Sequence, residues 1–296
     1  MKTLYYDCFC GISGDMNLGA MIDLGVNPEY LISELAKLPM AIEFEVIIEK
    51  AVKKGIEGTK VDVRLTGEAP VKHHEHAPHA HTHEHPTVHT HTHEKVPHLH
   101  NNAPHAHHEH RNLAIIEAMI SGSTLSESVK ALSLKIFMEV AKAEAKVHGK
   151  PLQEVHFHEV GAVDSIVDIV GAAICFEALG VDRVVSSSVQ LGGGFVKCDH
   201  GMMPVPAPAT AEILKGVPVK IGLVASEMTT PTGAAILKAL VNEYSDQMSM
   251  NITKIGYGLG TREHEFPNVL RVMILEEADG YSATSQSDTT TQKKNK

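Results

Sequence analysis

The stretch HFHEVGAVDSIVD, His156 to Asp168, places two imidazoles and three carboxylates within thirteen residues. His156 and His158 are two apart, so an extended backbone turns both to one side and Phe157 to the other. Asp164 and Asp168 are four apart, which puts them on one face of a helix. That helix is apolar almost all round, with Ile166, Val167, Ile169, Val170, Ala173 and Ile174. A carboxylate buried there costs several kcal/mol unless it is paired, hydrogen-bonded or metal-bound. Capping the helix would explain Asp164 but not Asp168. We therefore read His156, His158, Glu159, Asp164 and Asp168 as the candidate catalytic group, with His156 and His158 also as metal ligands.

A second concentration of imidazole lies upstream. Sixteen of the chain's 21 histidines fall between Lys72 and Arg111. They are His73, His74, His76, His79, His81, His83, His85, His89, His91, His93, His98, His100, His105, His107, His108 and His110. Imidazole suits nickel, copper and zinc, and nitrogen sites hold Ni²⁺ and Cu²⁺ more tightly than the earlier divalent ions. Four prolines and no packable apolar pattern make this stretch an insertion that gathers metal, since a flexible segment cannot hold a reaction centre in place.

Three weaker signals concern phosphate. DCFCGISGDM sets Asp7 at a strand end, then Ser13, Gly14 and Asp15 at the mouth of a helix, where backbone N–H groups can meet an anion. A tight strand-to-helix turn needs the same glycines, and Asp15 also suits an N-cap. TTPTGAAIL offers Thr230 and Thr232 before another helix, and GYGLGTRE offers Arg262 as a clamp; no long helix follows those glycines, so they fail the dinucleotide fingerprint. Cys8 and Cys10 suit either a soft metal or simple packing. His200 is a lone loop histidine.

These residues need elements to hold them. TLYYDCF reads as a buried strand followed by the helix MNLGAMIDLGV, and PEYLISELAKL as a helix opened by Pro28. Residues 42–67 alternate in two halves about Lys53–Gly58, a hairpin. TLSESVKALSLKIFMEVAKAEAKVHG is a long helix capped by Thr124 or Ser126 and stopped by Gly149 and Pro151. The apolar helix follows, then the strand DRVVSSSVQLGGG, the loop KCDHGMMPVPAP, the helix ATAEILKG and the strand PVKIG. The helix TTPTGAAILKALVNEY and strands near MSMNITKIGYG and PNVLRVMILEE end the pattern. The expectation is an α/β or α+β fold, a mixed sheet with packed helices interrupted by the disordered insertion. Its divisions are 1–71, the insertion 72–111, the remainder 112–278 and a disordered polar tail 279–296.

Net charge of −10 and 4% aromatics with no Trp argue against nucleic-acid binding. The four cysteines form no disulfide framework in a chain of 296 residues. No run suits a membrane span or a signal peptide, which points to the cytoplasm.

DCFCGISGDMNLGAMIDLG, VHFHEVGAVDSIVDIVG, HGMMPVPAPATAEILKG, EMTTPTGAAIL and GYGLGTRE together resemble the LarC family. Its members are nickel insertion proteins for the pyridinium-3,5-bisthiocarboxylic acid mononucleotide cofactor of lactate racemase. The resemblance implies a nickel chelatase, of the lyase class, that places Ni²⁺ between two thiocarboxylate sulfurs and a pyridinium carbon. It also implies CTP, a second divalent cation such as Mn²⁺ or Mg²⁺, and a C-terminal nucleotide-binding domain in cis or trans. The sulfur-inserting protein and apo lactate racemase are the further partners it implies. Two other readings compete: a nickel store or metallochaperone without catalysis, and a nucleotide-binding module whose histidines are incidental.

Overall fold

The computed structural model describes residues 1–66, 111–155, 157, 160–198 and 201–277. The histidine insertion, the tail, His156, His158, Glu159 and His200 lie outside the described residues. In chain order the elements begin with β1 (Lys2–Asp7), α1 (Gly14–Asp23), α2 (Pro28–Leu35), β2 (Phe44–Lys53) and β3 (Ile56–Leu65). After the insertion come α3 (Leu113–Gly122), α4 (Glu127–His148), α5 (Val163–Leu179), β4 (Arg183–Ser186), β5 (Val189–Gln190), β6 (Phe195–Cys198) and β7 (Gly201–Pro204). The chain continues through α6 (Pro208–Ile213), β8 (Val219–Lys220), α7 (Pro231–Leu240), β9 (Glu243–Tyr244), β10 (Asn251–Leu259) and β11 (Val269–Glu276).

The helices start where their sequences say. Asn27 Oδ1 accepts from Glu29 N at 2.9 Å ahead of Pro28. Ser126 Oγ accepts from Val129 N at 3.2 Å, and Gly149 closes α4 in the left-handed region at φ +63°. Thr230 Oγ1 accepts from Gly233 N at 3.2 Å, with Pro231 opening α7. Each cap satisfies an N–H that the helix itself leaves unpaired. Two expectations are corrected. The loop KCDHGMMPVPAP carries a hairpin of β6 and β7, and α7 stops at Leu240, so that Glu243–Tyr244 pairs as a strand.

Seven strands form one mixed sheet in the order β2-β3-β10-β11-β1-β4-β9. β1 lies near its middle, antiparallel to β11 and parallel to β4. Helix α1 crosses β10 and β3, and glycines make that close approach possible. A Cβ on Gly258 would stand 1.7 Å from Met16 O, one on Gly256 2.3 Å from Ala20 O, and one on Gly19 2.3 Å from Thr59 O. The glycines of GYGLG thus seat a helix on the sheet.

α4 packs against α5, α6 and α7 over the same core. Phe157 is buried there, its ring centroid 6.2 Å from that of Phe137. On the other face Tyr5, Val185, Met273 and Leu275 form a smaller cluster beneath Met248 and Met250. Both flanks of the insertion converge on one residue: Thr66 N donates to Glu43 O at 2.8 Å and Arg111 pairs with the Glu43 carboxylate at 2.6 Å. No helix among the described residues is long and apolar enough to cross a membrane.

Candidate active site

In a sheet of this kind ligands gather at the carboxyl ends of the strands, where neighbouring connections part. At that end of β1 the chain turns at Gly11, whose N–H donates to Cys8 O at 3.0 Å. Gly11 has φ +75°, and a Cβ there would stand 2.1 Å from Met228 O and 2.7 Å from Gln190 O. The next residue, Ile12, bridges Thr229, and its carbonyl accepts from Thr230 N at 3.1 Å. A Cβ on Gly233 would meet that carbonyl at 2.2 Å. The starts of α1 and α7 are therefore locked side by side, although more than two hundred residues separate them in sequence.

α5 brings the third component. The Asp168 carboxyl lies against Gly14, the first residue of α1: a Cβ on Gly14 would stand 2.1 Å from Asp168 Oδ2. Asp168 is half-buried as a residue, but its Oδ1 is sealed from solvent and has no hydrogen-bond partner. Burial raises its pKa well above the ordinary carboxylate value, and Asp15 and then Asp164 push it further in the same direction. Asp15 accepts a hydrogen bond from the Ser13 hydroxyl, which leaves Ser13 with no capping bond to α1. Asp164 is exposed in the first turn of α5, whose N-cap, Ala162, has no side chain to cap with.

This combination can do two things. It favours a cation beside Asp168, on which Asp15 and Asp164 act as neighbouring negative charges. It also disfavours a lone charge on Asp168, which burial and its acidic neighbours hold toward the neutral form. At the start of α1 Asp15 disfavours a phosphate, while α7 carries no acidic residue in its first turn. Among the described residues, no three His, Cys, Asp or Glu side chains come together to hold a metal ion.

The other sequence candidates occupy the rim or the far face. Thr230 is spent on its cap and Thr232 is buried. Arg262 donates to the Glu227 carbonyl and to Ser226 Oγ at 3.4 Å, with the Glu227 carboxylate 3.7 Å away. Asp7 pairs with Arg271, whose guanidinium lies 5.5 Å from the centroid of the Phe9 ring. Cys8 and Cys10 are buried, which pushes their thiols up to about 12 and about 11 and suits packing rather than metal ligation. Thr229, the first residue of TTPTGAAIL, belongs to the possible phosphate cradle read in that stretch, whereas Asn17 was missed by sequence reasoning. Thr229 Oγ1 donates to Gln190 O at 2.7 Å, fixing the rim. Asn17 accepts from Tyr6 Oη at 3.0 Å while its buried Nδ2 has no partner, and an amide inside MNLGAM was the available signal.

A mixed sheet with helices packed against it, and a buried carboxyl set against the helix that follows β1, defines an α/β protein. The sequence comparison is specific: the chain belongs to the nickel insertion protein family, whose profile matches residues 4–295. It is 58% identical over 297 residues to the pyridinium-3,5-bisthiocarboxylic acid mononucleotide nickel insertion protein of Clostridium acetobutylicum, covering 94% of this chain and 64% of the relative. Proteins of the same name from Clostridium kluyveri and Geobacillus kaustophilus are 54% and 47% identical, with 94% of this chain covered in each case. The chain spans 63% and 60% of those two relatives, less than two thirds of their length. No solved structure matches the chain.

Proposed function

We propose that this chain carries the nickel-receiving part of a nickel insertion activity on pyridinium-3,5-bisthiocarboxylic acid mononucleotide. What supports the reading most is the Asp168 carboxyl set against Gly14, its Oδ1 buried without a hydrogen-bond partner and its charge disfavoured by burial, Asp15 and Asp164. A pyridinium ring and Ni²⁺ are both cations, and either one beside it favours ionised Asp168. Forming a nickel–carbon bond releases a proton from the ring carbon as its electron pair passes to the metal. Asp168 accepts that proton, and the acidic surroundings that raise its pKa make it a competent base once it has ionised.

In this reading the histidines from His73 to His110 concentrate nickel, and His156 and His158 pass it toward Asp168. The mononucleotide enters past Ser13 and Arg262, with Thr230 and the buried Thr232 holding the start of α7 beside them. Nickel is cargo here, and the activity is that of a chelatase serving lactate racemase in the cytoplasm. CTP and a second divalent cation belong with the part of the longer relatives that this chain does not span.

The test is an anaerobic mixture of this chain, Ni²⁺, CTP and the mononucleotide, with the nickel adduct read by mass spectrometry. A parallel mixture adds the remaining segment of a longer relative. Adduct is expected in the arm that completes the site, falling about a hundredfold with Asp168→Asn. An undiminished yield from folded Asp168→Asn protein rules out this role for Asp168.

A further inference from the structure

Two groups buried at the seam of α1 and α5 lack hydrogen-bond partners among the described residues, and they are complementary. One is an acceptor, Asp168 Oδ1; the other is a donor, Asn17 Nδ2. Leaving such a group unpaired costs about 1–3 kcal/mol. Each belongs to the stripe of its helix that meets the other helix. Gly14 is set against the Asp168 carboxyl, and a Cβ on Gly171 would meet Leu18 Cδ2 at 2.9 Å. Residues 14, 17 and 18 of α1 are three and four apart and share one face, as do residues 168 and 171 of α5. Asn17 therefore stands between the two points at which the helices touch, and it is fully buried there.

The Asn17 amide is also held from the sheet. Tyr6 Oη donates to Asn17 Oδ1 at 3.0 Å, and Tyr6 is itself fully buried on β1. With its carbonyl taken, the amide has only N–H left to offer, and an N–H binds a carboxylate about twice as strongly as a neutral acceptor. For packing alone, a leucine of similar volume would fill the place without burying a spare polar group. The charged groups acting on Asp168 are Asp15 on α1 and Asp164 on α5, both acidic, so neither steadies its ionised form. Near Tyr6 stand Cys8 and Cys175, whose thiols burial pushes up to about 12, so both are neutral. We infer that Asn17 is a positioning residue for the proposed base: held by Tyr6, its Nδ2 donates to Asp168 once that carboxyl has lost its proton. The bond is not made in the structure, so Asp168 turns toward Asn17 as it ionises. The inference rests on the proposed function for the reaction it serves, and it links Tyr6 on β1, Asn17 on α1 and Asp168 on α5 in one line.

NMR of isotope-labelled aspartate carboxyl carbons and asparagine side-chain amides, followed against pH in this chain, tests it, with Asp168→Asn identifying the Asp168 signal. In the wild type, the Asn17 side-chain N–H protons should move downfield with the midpoint of the Asp168 carboxyl. Asn17→Leu, which keeps the volume, and Asn17→Ala should each raise that midpoint by at least about one pH unit, a tenfold loss of preference for the ionised form. Tyr6→Phe should raise it by less. Formation of the nickel adduct by the Asn17 variants should then fall about tenfold below the midpoint and recover above it, with the KM for the mononucleotide unchanged. An Asp168 midpoint that stays in place in the folded Asn17 variants overturns the inference. So do Asn17 amide protons that ignore the Asp168 titration in the wild type. The midpoint reads Asp168 and not nickel insertion. A midpoint that moves, in a protein whose Asp168→Asn variant still inserts nickel at full yield, defeats the proposed function alone. A fixed midpoint beside an insertion that needs Asp168 defeats only the role of Asn17.

Discussion

Asp168 decides most at the scale of the residue, because its Oδ1 is buried without a partner and two further carboxylates act on its charge. Its pKa is raised in the folded chain relative to the unfolded one. The stability it contributes is therefore fully present below the ordinary carboxylate pKa of about 3.9 and is lost as pH rises through its own raised value. Thermal melts of wild type and Asp168→Asn should diverge over that interval, the variant gaining relative stability as pH increases. Melts that stay parallel would show that Asp168 titrates normally. Gly14→Ala makes a sharper geometric test, since the new Cβ would stand 2.1 Å from Asp168 Oδ2 and 2.5 Å from its Cβ. The whole side chain must move, so nickel insertion should fall as far as with Asp168→Asn. The expected stability loss is about 1–3 kcal/mol, read by urea denaturation. The sequence announced Asp168 as a costly carboxylate on an apolar helix. It did not announce Gly14 as its neighbour, because 154 positions separate the two and no local pattern encodes that contact.

Among the elements, what was legible is what local physics controls. The caps of α2, α4 and α7 and the two-residue period of β2 and β3 act within a few positions, and each element begins where expected, although α7 ends four residues early. The β6–β7 hairpin was read as a loop because Gly201 and the prolines signal turns, and its strands are only four residues each. Strand order was not legible at all, since it depends on pairings such as Lys2 with Glu276. Nor was the role of GYGLG, whose glycines invite a phosphate reading until α1 is seen lying on them. Gly258→Ala sets the new Cβ against the Met16 backbone carbonyl at 1.7 Å, where no side chain can yield. A loss of at least about 3 kcal/mol is expected. A variant that melts within a degree or two of wild type would contradict the seating of α1 on β10.

Viewed as a whole molecule, the chain is a folded body interrupted by an insertion whose two flanks meet at Glu43. Closing a shorter loop between points already held together costs little, about 0.6 kcal/mol per doubling of length. A chain lacking residues 72–110 should therefore melt close to wild type while losing most of its nickel in equilibrium dialysis. Retention of the full nickel load would move the metal store into the folded body. The position of β1 has a consequence in time. Residues 2–7 pair with residues 271–276, so the sheet cannot close around β1 until residue 276 has left the ribosome. At translation rates of about 5–20 residues per second that interval is roughly 10–60 s. The histidines emerge early in it. On the proposed role of the histidines, every new molecule passes through a period in which they can collect nickel before the sheet that is to receive it has closed, and the order of synthesis itself puts acquisition before use.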